Sequence, residues 1–160
     1  MANGTVVSSV KDTLAVGSNI IESAESEVVW LLPPAMLAIS VHYGLPEKSK
    51  MLIEKGGRVR GIFRISTPFI ELARSLLENG ENLRHVDQYE GVFFLVADKK
   101  QSISSIHVVA EDLSLDDEIV AFWSEDPTYA EYLLSNFEPA WERGVDAQER
   151  VHELLEPHDG

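Results

Sequence analysis

Gly91–Lys100, GVFFLVADKK, holds five consecutive apolar residues, Val92 to Val96, followed by Ala97 and a polar turn. A half-buried strand alternates apolar and polar side chains. Here Phe93 and Leu95 on one side, and Val92, Phe94 and Val96 on the other, are all apolar, so both faces of the sheet must be covered at this point. The segment reads as a central strand, and the rest of the chain has to supply its covers.

Downstream, Asp98-Lys99-Lys100 turns the chain and Ser102–Val109, SISSIHVV, is the hairpin partner, by its alternating serines. Glu111–Glu118, EDLSLDDE, holds five carboxylates but lacks calcium-loop spacing and the glycine such a loop needs, so it reads as a solvated acidic loop. Ile119–Trp123 is another buried strand. Asp126 and Pro127 cap a helix that carries Tyr129, Tyr132, Leu133, Phe137 and Trp141 on one apolar face. Gly144 breaks it, and an amphipathic helix over 145–156 brings Val151, Leu154 and Leu155 together.

Upstream, residues 6 to 24 carry Val7, Val10, Leu14, Gly17 and Ile21 at helical intervals. This short seam either packs on the chain's own sheet or pairs with a second copy as a dimerising linker. Glu27–Leu32 is an apolar strand that stops at Pro33-Pro34, and Pro34 opens a helix ended by Gly44 and Pro46. A second helical piece, Glu47–Lys55, runs into Gly56-Gly57, and Arg58–Ile65 alternates as a strand with one partly basic face. Thr67 and Pro68 cap a helix that ends at Asn79-Gly80, and Leu83–Val86 is a short strand. The strand-helix-strand-helix-strand run favours parallel pairing with right-handed crossovers. The expectation is an α/β fold, a mixed but mainly parallel sheet with helices on both faces, in a single domain over 1–160 whose α/β core spans 25–143.

Thirteen Lys and Arg against 27 Asp and Glu give a net charge of −14. Such a field repels phosphate backbones and argues against direct nucleic-acid binding. The chain has no cysteine, which excludes disulfides, thiolate metal sites and a cysteine nucleophile and fits a cytoplasmic location. Neither a signal peptide nor a membrane span is expected, since no apolar run approaches the required length.

Chemistry-bearing patterns are sparse. His42, His85, His107, His152 and His158 form no HExxH or HxH spacing, and no GxSxG, Walker A or strand-borne GxGxxG occurs. No metal and no cofactor are expected. What remains is a constellation: Arg64 at the end of its strand, Arg84 and His85 in the next, and Asp98 at the end of the central strand. Ligands of open α/β sheets bind beyond strand ends, so these four are the candidate ligand-binding residues. The competing reading pairs the arginines with surface carboxylates.

Taken together, Gly57, Val59 and Arg60, then Gly80, Leu83 and Arg84, then FFLVAD ending in Asp98, and Phe137 and Trp141 four apart resemble the phospholipase D-like domain. The version they resemble most is the effector-sensing part of TrmB-type archaeal transcription regulators. The likeness covers about residues 18 to 143. Active members of the superfamily carry HxKxxxxD, with a histidine nucleophile, a phosphate-binding lysine and an assisting aspartate. With Asp98 at the last position of that motif, Gly91 stands where histidine belongs and Phe93 where lysine belongs, so no catalytic residue is expected.

The resemblance implies a DNA-binding winged helix ahead of the sensor, yet only about 20 residues precede the matching region here. The expectation is therefore a non-catalytic sensor or regulatory domain in transcription or signalling, a homodimer that takes a small-molecule effector or a regulatory partner protein. Two rivals are a hydrolase or phosphotransferase using the constellation, and a plain protein-interaction module.

Overall fold

The computed structural model of the 160-residue chain describes residues 4–88, 92–105 and 114–157. The strands are β1 (Gly4–Ser9), β2 (Glu27–Leu31), β3 (Arg58–Phe63), β4 (Asn82–His85), β5 (Phe93–Ala97), β6 (Gln101–Ser105), β7 (Glu118–Ser124) and β8 (Val145–Asp146). They form one sheet in the order β1-β7-β6-β5-β2-β3-β4-β8. The apolar run at Phe93 thus lies in the middle of the sheet, and all five residues of β5 are buried.

The helices are α1 (Val10–Ser23), α2 (Pro34–Ser40), α3 (Leu45–Glu54), α4 (Ile70–Glu78), α5 (Pro127–Arg143) and α6 (Ala147–Leu155). One face of the sheet, with Val28, Trp30, Phe63, Leu95 and Ile103, packs against α1, α3, α4 and α6. The other, with Val29, Leu31, Ile62, Phe94 and Val96, packs against Leu133 and Phe137 of α5. These two layers are the covers that the doubly apolar strand requires.

The sheet is mixed, but the expectation that it is mainly parallel is overturned. Only β2-β3 and β3-β4 run parallel, and the other five neighbouring pairs are antiparallel. Helices join parallel neighbours only in the early half, from β2 to β3 and from β3 to β4. Past β4, Asp98–Lys100 turns β5 back onto β6 as an antiparallel pair, and both outer strands come from segments read as helical. At the N-terminus Thr5, Val6 and Val7 extend as β1 against β7, and helix α1 begins only after Ser9, whose side chain accepts from the Asp12 N–H. A β-branched run followed by a serine cap stops the helix from reaching back to residue 6. At the C-terminus Val145 and Asp146 pair with His85 and Arg84 before α6 starts at Ala147.

Smaller differences have similar causes. Thr67–Phe69 forms a 3-10 turn, α4 begins at Ile70, and no side chain caps it. Pro46 lies in the first turn of α3 instead of ending the preceding helix. Tyr132, assigned to the apolar face of α5, is 55% exposed. The proposed strand over Ser102–Val109 is seen as far as Ser105, and its remainder, with His107, Gly91 and the first part of the acidic loop, lies outside the described residues. Val10, Leu14, Gly17 and Ile21 of the seam are buried, and α1 packs on α3 and β6, so this face belongs to the chain's own core.

Candidate ligand site

The four residues singled out from the sequence do not meet. In the parallel run, β3 and β4 end at Phe63 and His85, which are paired, so Arg64, Arg84 and His85 lie at that end of the sheet. Strand β5 runs antiparallel to β2, with Ala97 opposite Val28, and Asp98 therefore stands at the opposite end, beside the start of β2. The antiparallel hairpin that carries Asp98 separates it from the others by the length of the sheet.

Asp98, His85 and Arg84 each have a local structural task. The Asp98 carboxylate accepts from the backbone N–H groups of Glu25, Ser26 and Glu27 at 2.9 Å each, and from the Ser26 hydroxyl at 2.8 Å. Partial burial pushes its pKa up, but these donors outweigh it and hold the carboxyl below its ordinary value. Asp98 and Lys99 adopt positive φ angles of 54° and 57°, so the donors at the start of β2 anchor a turn in a conformation uncommon for residues other than glycine.

His85 is buried, and its Nδ1 accepts from the Ile65 N–H at 2.9 Å while Nε2 lies 2.8 Å from an Asp87 carboxylate oxygen. A nitrogen that accepts from a backbone N–H carries no proton, so Nε2 is the protonated nitrogen and donates to Asp87. That bond lowers the pKa of Asp87. Arg150 donates to the Ile65 carbonyl at 3.1 Å, and both polar backbone groups of Ile65 are thus held by side chains. Arg84 donates to the Trp141 carbonyl and stacks 4.3 Å from the Trp141 ring centroid, closing the end of α5. The basic face of β3 is likewise absorbed: Arg60 pairs with Glu138 at 2.7 Å and lies over the Phe137 ring.

Open, largely polar clefts of about 500 Å³ and 520 Å³ lie beside His85 and Asp98, and the apolar space lies elsewhere, on the face covered by α1, α2 and α3. An apolar crevice of about 40 Å³ is lined by Leu14, Gly17, Met36, Leu45, Phe93 and Ile103, among others. It sits where β2 runs out into Pro33 and β5 begins. Phe93, the residue standing at the lysine position of HxKxxxxD, forms part of its wall and is 8% exposed. Two faces of sequence logic converge here: the Pro33-Pro34 stop opens a gap past β2, and Gly17 leaves α1 without a side chain over β6, its nearest neighbours being Leu45 and Ile103.

Beside it, a smaller cavity of about 20 Å³ is lined by Trp30, Ser40, Ser49 and Glu81, together with Leu32, Leu45 and Leu95, which also line the crevice. Glu81 was missed in the sequence because it follows Gly80 in what reads as a polar turn. Gly80, at φ 97°, ends α4, and the Glu81 N–H returns to the Leu76 carbonyl. Glu81 then falls in the two-residue alternation of Leu83 and His85, both buried. Its Oε1 accepts from the Trp30 indole at 3.2 Å, and its Oε2 has no hydrogen-bond partner. Burial pushes its pKa up to about 7, against the opposing pull of the Trp30 bond. Trp30 reaches this position because Gly61 lies beneath its ring: a Cβ there would stand 2.2 Å from the indole.

No protein-family model matches the sequence, and no curated protein matches it. Among solved structures the chain is similar to TrmBL2, an archaeal chromatin protein described with a novel mode of DNA binding, with TM-score 0.71 and 14% identity over 90% of this chain. The chain spans about half of that protein, 54% of its length. It is also similar to NucT from Helicobacter pylori (TM-score 0.70, 13% identity, 91% of this chain and 99% of that one). Nuc from Salmonella typhimurium, a phospholipase D family member, follows with TM-score 0.66 and 14% identity over 91% of this chain and 98% of its own. The fold of this chain is therefore phospholipase D-like, and its likeness to TrmBL2 matches its likeness to NucT, with TM-scores of 0.71 and 0.70.

Proposed function

We propose that this chain is a non-catalytic phospholipase D-like module that binds a small, largely apolar effector in the crevice walled by Phe93, and that it serves in transcriptional or signalling control. One observation carries the reading. At the motif position where a phosphate-binding lysine would stand, this chain has a buried phenylalanine in an apolar wall. A phenyl ring holds no phosphate, and a net charge of −14 disfavours anionic substrates in general. The regulatory part of the proposal draws on the likeness to TrmBL2, a protein described as binding DNA.

The test is a pair of assays on one preparation. Turnover of bis(p-nitrophenyl) phosphate is expected to be absent, and thermal unfolding is expected to shift upward with a subset of small apolar compounds, because a ligand that binds only the folded state stabilises it by mass action. Phosphodiesterase turnover that survives repurification would overturn the non-catalytic reading. A homodimer remains part of the proposal, on a surface other than the N-terminal seam, whose residues are buried. The outer edge of β1, which pairs with no further strand among the described residues and where Val6 is 67% exposed, is the surface best suited to it.

A further inference from the structure

The Glu81 cavity narrows the class of effector, an inference that rests on the crevice being a ligand site. We propose that crevice and cavity form one bipartite site for a small organic ammonium ion with an apolar tail, the tail in the Phe93 crevice and the ammonium against Glu81. Leu32, Leu45 and Leu95 belong to both walls, so the two spaces adjoin. Their sizes assign the parts. A space of about 20 Å³ holds little more than one water-sized group, which is the size of a head group and not of a molecule.

The chemistry of the inner wall selects that head group. Glu81 is 4% exposed and its Oε2 lacks a partner, an expensive state for a buried acceptor. Ser40 and Ser49 line the same space. The Ser40 hydroxyl donates to the Leu37 carbonyl at 2.6 Å and so offers its oxygen as an acceptor. An ammonium has three donors and no acceptor, and the cavity wall holds the Glu81 carboxylate, the Ser40 hydroxyl as an acceptor and a second serine, Ser49. An alcohol, with one donor, would satisfy Glu81 or Ser40 but not both, and an anion would meet a carboxylate. Charge pairing with extra hydrogen bonds is what a buried ion needs to offset its desolvation.

The experiment is calorimetric titration of the whole chain at about pH 8.5, where Glu81 is ionised and an alkylammonium is still charged, with hexylammonium and, separately, 1-hexanol, on the wild type and on Glu81→Gln. Hexylammonium is expected to bind the wild type at least about tenfold more tightly than Glu81→Gln, as for a charge-assisted contact, while 1-hexanol binds the two alike. Equal binding of hexylammonium to both proteins would overturn the ammonium assignment and leave the crevice standing. Silence of both probes on the wild type would overturn the crevice as well. Should Glu81→Gln fail to fold, Ser49→Leu fills the head-group space from another element and is expected to abolish the preference for hexylammonium over hexanol; retention of that preference would refute the proposal.

Discussion

At the scale of single residues, two buried polar side chains set the local energetics. His85 is the acceptor for the Ile65 N–H, and its removal leaves that donor unpaired in the interior. His85→Ala is expected to cost about 1–3 kcal/mol, read as a lower urea midpoint, with a larger loss than for Asp87→Ala, whose carboxylate is exposed. Glu81 predicts a pH dependence of defined sign. Its pKa is about 7 in the folded chain against an ordinary 4.5, so between those values the folded state retains a proton that the unfolded chain releases. Stability therefore falls as pH rises from 4.5 to 7 and levels off above, by about 3 kcal/mol at most. Glu81→Gln should remove this component: the variant gains on the wild type across that window, and the difference between the two isolates Glu81 from the other carboxylates. A difference that stays constant with pH would contradict the assignment.

At the scale of elements, the hairpin that follows β5 depends on Asp98. Asp98→Ala unties three backbone N–H groups at the start of β2 and is expected to destabilise by about 1–3 kcal/mol, with faster amide exchange in β5 and β6 than in β4. Because the Asp98 pKa is depressed, its stabilising share is present above the usual carboxylate pKa and is lost as pH falls through its lowered value. A second element-level contact is Trp30 over β3. Gly61→Ala places a methyl against the indole and is expected to cost about 1–3 kcal/mol through overpacking, with a change in tryptophan fluorescence.

The elements also show what the sequence made legible. The doubly apolar pattern of Val92–Val96 correctly located the middle of the sheet, and the Asp126-Pro127 and Asn79-Gly80 signals located helix ends. The outer strands escaped because β1 has one buried residue in six, Val7, which also fitted the helical seam, and β8 is two residues long and exposed. Edge pairing leaves little periodic trace, so a mainly antiparallel sheet read as mainly parallel. The site was less legible than the fold. Arg84 and His85 look functional as residue types, yet they close α5 and hold Ile65, whereas Glu81 was hidden in a glycine turn whose geometry places it inward.

At the scale of the whole molecule, one sheet carries two unlike layers. The α5 layer packs Phe94 on Phe137 and carries the arginine-aromatic stack on Trp141, with a part-polar cleft beside Asn136 and Arg143, whereas the opposite layer keeps apolar space around Phe93 and a small cavity at Glu81. Among the described residues no helix is long and apolar enough to cross a membrane, and no group of three His, Asp or Glu is placed to hold a metal ion. Light scattering at micromolar concentration is expected to give a dimer, reduced to a monomer by Val6→Lys at the β1 edge; a monomeric wild type would remove self-association from the account. The central claim is that the Phe93 crevice binds ligand, and its walls carry methyl groups on Leu14, Met36, Leu45, Leu95 and Ile103. Methyl NMR during titration with hexylammonium tests it most directly. The account predicts saturable shifts confined to these methyls, with those of Leu133 in the α5 layer unmoved, and shifts that are absent or spread evenly over both layers would contradict it.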